Sequence, residues 1–308
     1  MKVYTNIQEF KSKKNTVVTI GTFDGVHLGH QVIINQLKKA ALELQGESVL
    51  LTFFPHPRMV VFPDDNELKL LNTIEERTQL LEKAGIDHLI IHPFSKAFSR
   101  LTALEFVRDI LVNQLNVRKV VIGYDHHFGR NREGSFDDLV EFGEVYGFSV
   151  EEIPAQDIQQ INVSSTKIRT SLLAGEILAA TQFLGYHYFL NGTVVKGDRI
   201  GREIGFPTAN IQPEENYKLI PKNGVYAVKV ALKNKLFKGM LNIGVRPTLK
   251  GNHQTIEVNI FDFDEEIYGE PIKVIFYERI RDEQAFDTLN ELKNQLTLDK
   301  EKTIQLFG

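Results

Sequence analysis

No cysteine occurs among the 308 residues, which excludes disulfides, thiol nucleophiles and thiolate metal sites. Any metal must be held by oxygen or imidazole. A basic excess is missing as well: net charge is −4, with 19 basic and 23 acidic residues up to position 180 and 17 of each after it. Neither half has the electrostatic footprint of a general nucleic-acid binder. No apolar run approaches membrane-spanning length, and the opening Met1-Lys2-Val3-Tyr4-Thr5 lacks the apolar core of a signal peptide. The expectation is a cytoplasmic protein with no membrane and no nucleic-acid partner. Nor does a GxxxxGK[ST] loop occur anywhere, so any ATP must be held by other means. Hydrophobic residues make up 42% of the chain, ordinary for a globular protein, and the length allows two domains.

What is present begins with the stretch Gly21-Thr22-Phe23-Asp24-Gly25-Val26-His27-Leu28-Gly29-His30. It follows the β-branched run at 16–20 and precedes Val32, Ile33 and Leu37, whose spacing suits one helix face. Strand, glycine loop and helix are predicted. Gly21, Gly25 and Gly29 let backbone amides approach a ligand, and the helix offers unpaired N–H groups and a positive dipole end. Such a loop favours an anion. One histidine is expected to close the loop and the other to lie on the first helical turn, where both are placed to donate to phosphate oxygens. Asp24 is a candidate to orient the histidines or a magnesium ion.

Further along, the apolar run at 48–54 ends at Pro55-His56-Pro57, which brings Phe54 and His56 to the carboxyl edge of a sheet. Thr73-Ile74-Glu75-Glu76 and Thr102-Ala103-Leu104-Glu105 match the capping-box pattern, each ahead of an amphipathic stretch. Strands at 88–91 and 119–123 alternate with these helices, which predicts a doubly wound parallel sheet. The second strand runs into Gly123-Tyr124-Asp125-His126-His127-Phe128-Gly129-Arg130. Adjacent side chains diverge, so no ion shared by His126 and His127 is expected. Val163-Ser164-Ser165-Thr166-Lys167-Ile168-Arg169-Thr170 reads as a capped helix start with Ile168, Leu172 and Leu173 on its face. Its cations sit at the unfavourable end of the dipole, a penalty that a bound phosphate chain would reverse.

From Tyr188 the pattern changes to strands at 188–195, 224–230, 237–243, 256–260 and 272–277 with no helix between them, which predicts an antiparallel barrel or sandwich. A helix from about Asp287 to Leu306, with Leu289, Leu292, Leu296 and Ile304 as packing residues, should cover one face. The densest polar cluster of this half runs from Gly197 to Asn210, GDRIGREIGFPTAN, and includes Gly201, Arg202, Gly205, Thr208 and Asn210. In extended backbone the oxygens of Thr208 and Asn210 point to one side, and a hydroxyl plus an amide suits magnesium carried mainly by nucleotide phosphates.

The first motif resembles the HxGH signature of nucleotidylyltransferases in its prokaryotic FAD synthetase form. Val163–Thr170 is similar to its SSTxxR partner, and 123–129 resembles GxDFxFG with His126 in place of a phenylalanine. The second cluster resembles the GxPTAN site of riboflavin kinases, joined by Asn242-Ile243-Gly244-Val245-Arg246-Pro247-Thr248, by Glu257 and by Arg279-Ile280-Arg281. The chain is thereby identified as a member of the bifunctional riboflavin kinase and FMN adenylyltransferase family. That resemblance implies residues 1–184 as an adenylyltransferase domain and 185–308 as a kinase barrel, with riboflavin, FMN and Mg2+-ATP as small-molecule partners. It assigns catalysis to Glu257 as general base and to His27, His30 and Arg169. Nucleotide and phosphate contacts fall to Gly21, Phe23, Asp24, Gly25, Gly29, Ser164, Ser165, Thr166, Gly197, Gly201, Arg202 and Gly205. Flavin contacts fall to Phe54, Pro57, Asp125, Phe128 and Arg279, and magnesium to Thr208 and Asn210. Two rival readings are an adenylyltransferase for another phosphorylated precursor and a flavin-binding carrier.

Overall fold

The computed structural model describes residues 1–12, 14–63, 68–154, 163–197, 200–248 and 251–308. They gather into two compact units, Met1–Ser164 and Ser165–Gly308.

The first unit is built on β1 (Lys2–Tyr4), β2 (Thr16–Ile20), β3 (Glu47–Phe54), β4 (His88–Pro93), β5 (Val117–Gly123) and β6 (Ser149–Ile153). They form one sheet in the order β1-β4-β3-β2-β5-β6, with every pairing parallel. All of β2 is buried, which explains a β-branched run that does not alternate with charged residues: a strand covered on both faces has no solvent side. Val17 and Val18 duly enter different clusters. Val17 packs with Leu37 of α1 (Leu28–Glu43) and Leu81 of α3 (Ile74–Ala84), a short α2 (Pro57–Val61) lying between these helices in the chain. Val18 packs with Leu111 of α4, a helical turn at Ala103–Glu105 that widens to a π-helix over Phe106–Gln114, and with Leu139 of α5 (Phe136–Tyr146). Each such buried aliphatic side chain stabilises the fold by about 1.5–3 kcal/mol.

Both expected capping boxes form, Thr73 with Glu76 and Thr102 with Glu105. A third, Ser135 with Asp138, uses the shorter acid. In the sheet order β3 and β4 lie to one side of β2, and β5 and β6 to the other. The order therefore reverses at β2, and the carboxyl ends of β2, β3 and β5 border the crevice where open sheets take ligands.

The second unit opens with α6 (Ser165–Ala174) and α7 (Ile177–Leu184). On α6 Ile168, Ser171 and Leu172 are buried, whereas Leu173, expected on that face, is 59% exposed. Adjacent helical residues point about 100° apart, so Leu172 and Leu173 cannot share one buried line. Then come β7 (Phe189–Val195), one helical turn α8 (Ile200–Glu203), β8 (Ala209–Pro213), β9 (Gly224–Leu232), β10 (Lys235–Thr248), β11 (Gly251–Ile260), β12 (Pro271–Arg281) and α9 (Leu289–Phe307). The strands close an antiparallel barrel in the order β10-β11-β8-β7-β12-β9. The helical turn α8 interrupts what the sequence pattern presented as strands alone. Of the packing residues expected on α9, Leu289 and Ile304 are 58% and 43% exposed, while Asp299 and Thr303 are almost fully buried. Leu292 and Leu296 are half-buried, and the most buried positions are polar because Asp299 holds an ion pair with Arg281. No helix among the described residues is long and apolar enough to cross a membrane.

Candidate active sites

In the first unit, the glycine loop leaves the carboxyl end of β2 and turns into α1. His27 is the N-cap, and its Nδ1 accepts the backbone N–H of His30 at 3.3 Å. An accepting Nδ1 carries no proton, so the neutral His27 ring bears its hydrogen on Nε2. The His30 ring stacks on it, with centroids 3.6 Å apart and planes 15° from parallel, and Phe23 closes the far side at 4.8 Å. Burial first, then the adjoining His27 and the Arg77 guanidinium, hold the His30 pKa well below the ordinary histidine range. Gly29 is fixed by this packing: a Cβ there would meet Val163 at 3.2 Å and the His27 ring at 3.3 Å.

Strain is concentrated in the loop. Phe23 and Val26 have φ of 47° and 37°, an arrangement rare for any side chain and rarer for a β-branched one. Such residues cost about 1–3 kcal/mol each and persist only where the surroundings over-determine them. Here both are buried, and Asp24 between them accepts the backbone N–H groups of Leu71 at 3.0 Å and Asn72 at 3.2 Å. Arg77 Nη2 lies 3.7 Å from its carboxylate. Asp24 thus anchors the loop to the segment before α3. Neither Arg77 nor this anchor was singled out from the sequence, because one buried cation on a helix gives no pattern.

Around the same sheet edge, His56 caps the one-turn helix that Pro57 begins, its Nδ1 accepting from Arg58 N at 3.2 Å. Phe54 ends β3. On the loop after β5, Asp125 is exposed. Phe128 is buried against Phe106 and exchanges backbone hydrogen bonds with Gly134. His126 lies parallel to Phe128 with centroids 6.4 Å apart, and burial pushes its pKa down to about 4. Its Nε2 is sealed from solvent and has no hydrogen-bond partner among the described residues. Ser165, Thr166 and Arg169 lie in the first turns of α6, in the second unit, with Ser164 just ahead of it.

The second unit brings the kinase-like residues together. Glu257 on β11 is the cross-strand partner of Asn210 on β8, and Thr208 Oγ1 donates to Glu257 Oε2 at 3.3 Å. Thr208, Glu257 and Gly201 line a cavity of about 480 Å³ whose other walls include Asn242, Arg281, Phe286 and Leu292. That size lies within the range of roughly 300–1,000 Å³ typical of small-molecule sites. A second cavity of about 410 Å³ is lined by Gly205, Pro207, Asp262 and Lys300, and it shares Phe206 and Asn259 with the first. The wall between them is tied, since Asn259 Nδ2 donates to Pro207 O at 2.7 Å. Gly197 packs its backbone on the Asn210 amide, leaving no room for a side chain, and Arg202 is exposed. Residues 198 and 199 of the cluster, and the side chains of Arg246, Pro247 and Thr248, lie outside the described residues.

Arg279, expected at the flavin, lines neither cavity. Its Nη2 donates to Asn223 O at 2.6 Å and to Asp282 Oδ1 at 2.7 Å, and its guanidinium packs against Gly224. Arg281, two residues on, is the arginine in the cavity wall.

The FAD synthetase family model matches residues 9–167 and the riboflavin kinase model residues 184–307. The chain belongs to both families. Proteins named bifunctional riboflavin kinase/FMN adenylyltransferase match it over nearly their whole length. That of Listeria monocytogenes is 40% identical, spanning 96% of this chain and 93% of its own. The Bacillus subtilis protein is 37% identical over 98% and 95% of the two chains, and that of Escherichia coli K12 is 36% identical over 96% and 94%. A crystal structure described as a macrolide-efflux protein from Streptococcus pneumoniae has the same fold, with a TM-score of 0.89 at 33% identity over 98% of each chain. In the order of this bifunctional family, the HxGH loop belongs to the FAD synthetase part and Thr208, Asn210 and Glu257 to the riboflavin kinase part.

Proposed function

We propose that the chain makes FAD from riboflavin in two ATP-consuming steps, with the functional division at residues 184/185. The second module phosphorylates the riboflavin 5′-hydroxyl, and the first adenylylates the resulting FMN and releases pyrophosphate. The observation that carries the kinase assignment is the Thr208–Glu257 hydrogen bond on the wall of a ligand-sized cavity that adjoins a second one. A primary alcohol is a poor nucleophile, and Glu257 supports a base within hydrogen-bond reach of it. The larger cavity suits the flavin, and the adjoining one, with Lys300 and backbone at Gly205 and Pro207, suits the nucleotide.

Thr208 and Glu257 on this wall, and Asn210 as the cross-strand neighbour of Glu257, offer a hydroxyl, a carboxylate and an amide, a hard oxygen set that fits magnesium held mainly by nucleotide phosphates and water. Thr208 and Asn210 would hold the ion, and it would supply charge neutralisation at the transferring phosphate. Adenylylation needs no base, because FMN phosphate is already an anion; alignment and charge neutralisation suffice. His27 through Nε2–H and His30 serve as donors to the nucleotide phosphates, with Arg169, Ser164, Ser165 and Thr166 as further donors. Gly21, Gly25 and Gly29 bring backbone amides near, and Phe54, Pro57, Asp125 and Phe128 border the flavin. His27, His30 and Arg169 supply donors with no obvious nucleophile among the three, which favours direct in-line attack. The substrates point to a cytoplasmic place of work.

Chromatography of flavins formed by two variants tests this reading. Glu257→Ala should lower FMN formation from riboflavin about 10²–10⁴-fold and spare FAD formation from FMN. His30→Ala should lower the second reaction about 10²–10³-fold and spare the first. Loss of both activities from either single change in folded protein contradicts the two-site assignment.

A further inference from the structure

The strand β12 carries two arginines two residues apart, and the structure sends them to different places. A register shift separates Arg279 from Arg281, and such an irregularity re-aims a side chain that strict alternation would leave parallel to its neighbour. Arg279 turns to Asn223 and Asp282, whereas Arg281 reaches α9. Its Nε donates to Oδ1 and Oδ2 of Asp299 at 3.0 and 3.1 Å, and its Nη2 donates to Oδ2 at 2.8 Å. Asp299 is 1% exposed and accepts a further bond from Gln295 Nε2 at 2.9 Å. Arg281 Nη1 donates to the backbone oxygen of Asp282 at 3.0 Å. A forked, charge-assisted pair shielded this well fixes orientation as well as distance.

The pair closes the loop that leaves β12, crosses residues 282–288 and enters α9. Nine of the twenty residues lining the 480 Å³ cavity fall from Arg281 to Leu296, so the end of β12, this loop and the first turns of α9 together form almost half of the wall. Thr208 and Glu257 belong to the other half, on the barrel itself. Asp299 lines neither cavity. We propose that Asp299, acting through Arg281, is a positioning residue that holds the α9 wall of the acceptor cavity against the barrel and thereby sets the affinity for the flavin alcohol. This rests on the assignment of that cavity to riboflavin. Without the pair, the cost of ordering the loop falls on ligand binding, while the groups that act on the hydroxyl stay in place.

The test is steady-state kinetics on full-length Asp299→Asn, whose amide cannot accept the forked set, together with riboflavin titration followed by flavin fluorescence. The expected result is a rise of about tenfold or more in KM and Kd for riboflavin, a change in kcat below about threefold, and FMN adenylylation unchanged in the same molecules. The double variant Arg281→Asp/Asp299→Arg should recover part of the affinity. If Asp299→Asn yields no folded protein, Arg281→Lys, which keeps the charge and loses the fork, should raise KM in the same direction. Equal riboflavin affinity in Asp299→Asn and the unaltered protein overturns the proposal. So does a fall in kcat at constant KM with a lowered Tm, which would mean that the pair only holds the barrel together. An unaltered protein that binds no riboflavin refutes instead the assignment of the cavity.

Discussion

His126 stands where the resemblance expects a phenylalanine, and its imidazole is half-buried with Nε2 sealed from water. Burial lowers its pKa from the ordinary 6.5 to about 4. The sign of the consequence follows from linkage: between these values the unfolded chain binds a proton that the folded ring refuses, so stability rises with pH across the window and is lost as pH falls. His30, depressed by burial, His27 and Arg77, adds to the same acid-side loss below about pH 6.5. Replacing His126 with phenylalanine should therefore flatten the stability profile of the protein between pH 6.5 and pH 4, measured as denaturation midpoints across that range. An unchanged slope would place the proton uptake elsewhere. The sequence disclosed the substitution but not its burial, because two adjacent histidines on a glycine loop look alike until the backbone turns one inward.

Among the elements, the loop from β2 to α1 was the most legible. A β-branched run, glycines at 21, 25 and 29 and two histidines three apart predict strand, glycine loop and helix, and the structure adds that His27 caps the helix. The anchoring of that loop was not legible, since Asp24 reaches residues 71 and 72, a link that no local spacing shows. Asp24→Ala would remove the carboxylate that accepts two buried backbone N–H groups and faces Arg77. It is expected to cost about 1–3 kcal/mol for each hydrogen bond lost and to lower adenylylation while riboflavin phosphorylation persists. Thermal denaturation with both assays on one preparation checks this. In α9 the sequence pattern pointed to leucines and an isoleucine, yet the buried stripe carries Asp299 and Thr303. A buried ion pair inverts the amphipathic rule, and its partner on β12 is visible only once the barrel has closed.

The whole molecule joins a six-stranded parallel sheet with a closed six-stranded barrel that holds a cavity of ligand size. Alternation of strands and helices, followed by strands with scarcely any helix, was enough to read that order. The composition of a cavity wall drawn from five separate stretches of chain was not, which is why Arg279 rather than Arg281 was expected there. The two chemistries share ATP and one intermediate, so they should run in sequence on unmodified protein. The measurement that tests this most directly is chromatographic analysis of flavins after incubation with riboflavin, ATP and magnesium, beside a parallel reaction begun from FMN. FMN followed by FAD in the first reaction, and FAD in the second, is the predicted result. Riboflavin left unchanged while FMN is converted would contradict the kinase assignment of the barrel, and unchanged flavin in both would contradict the account as a whole.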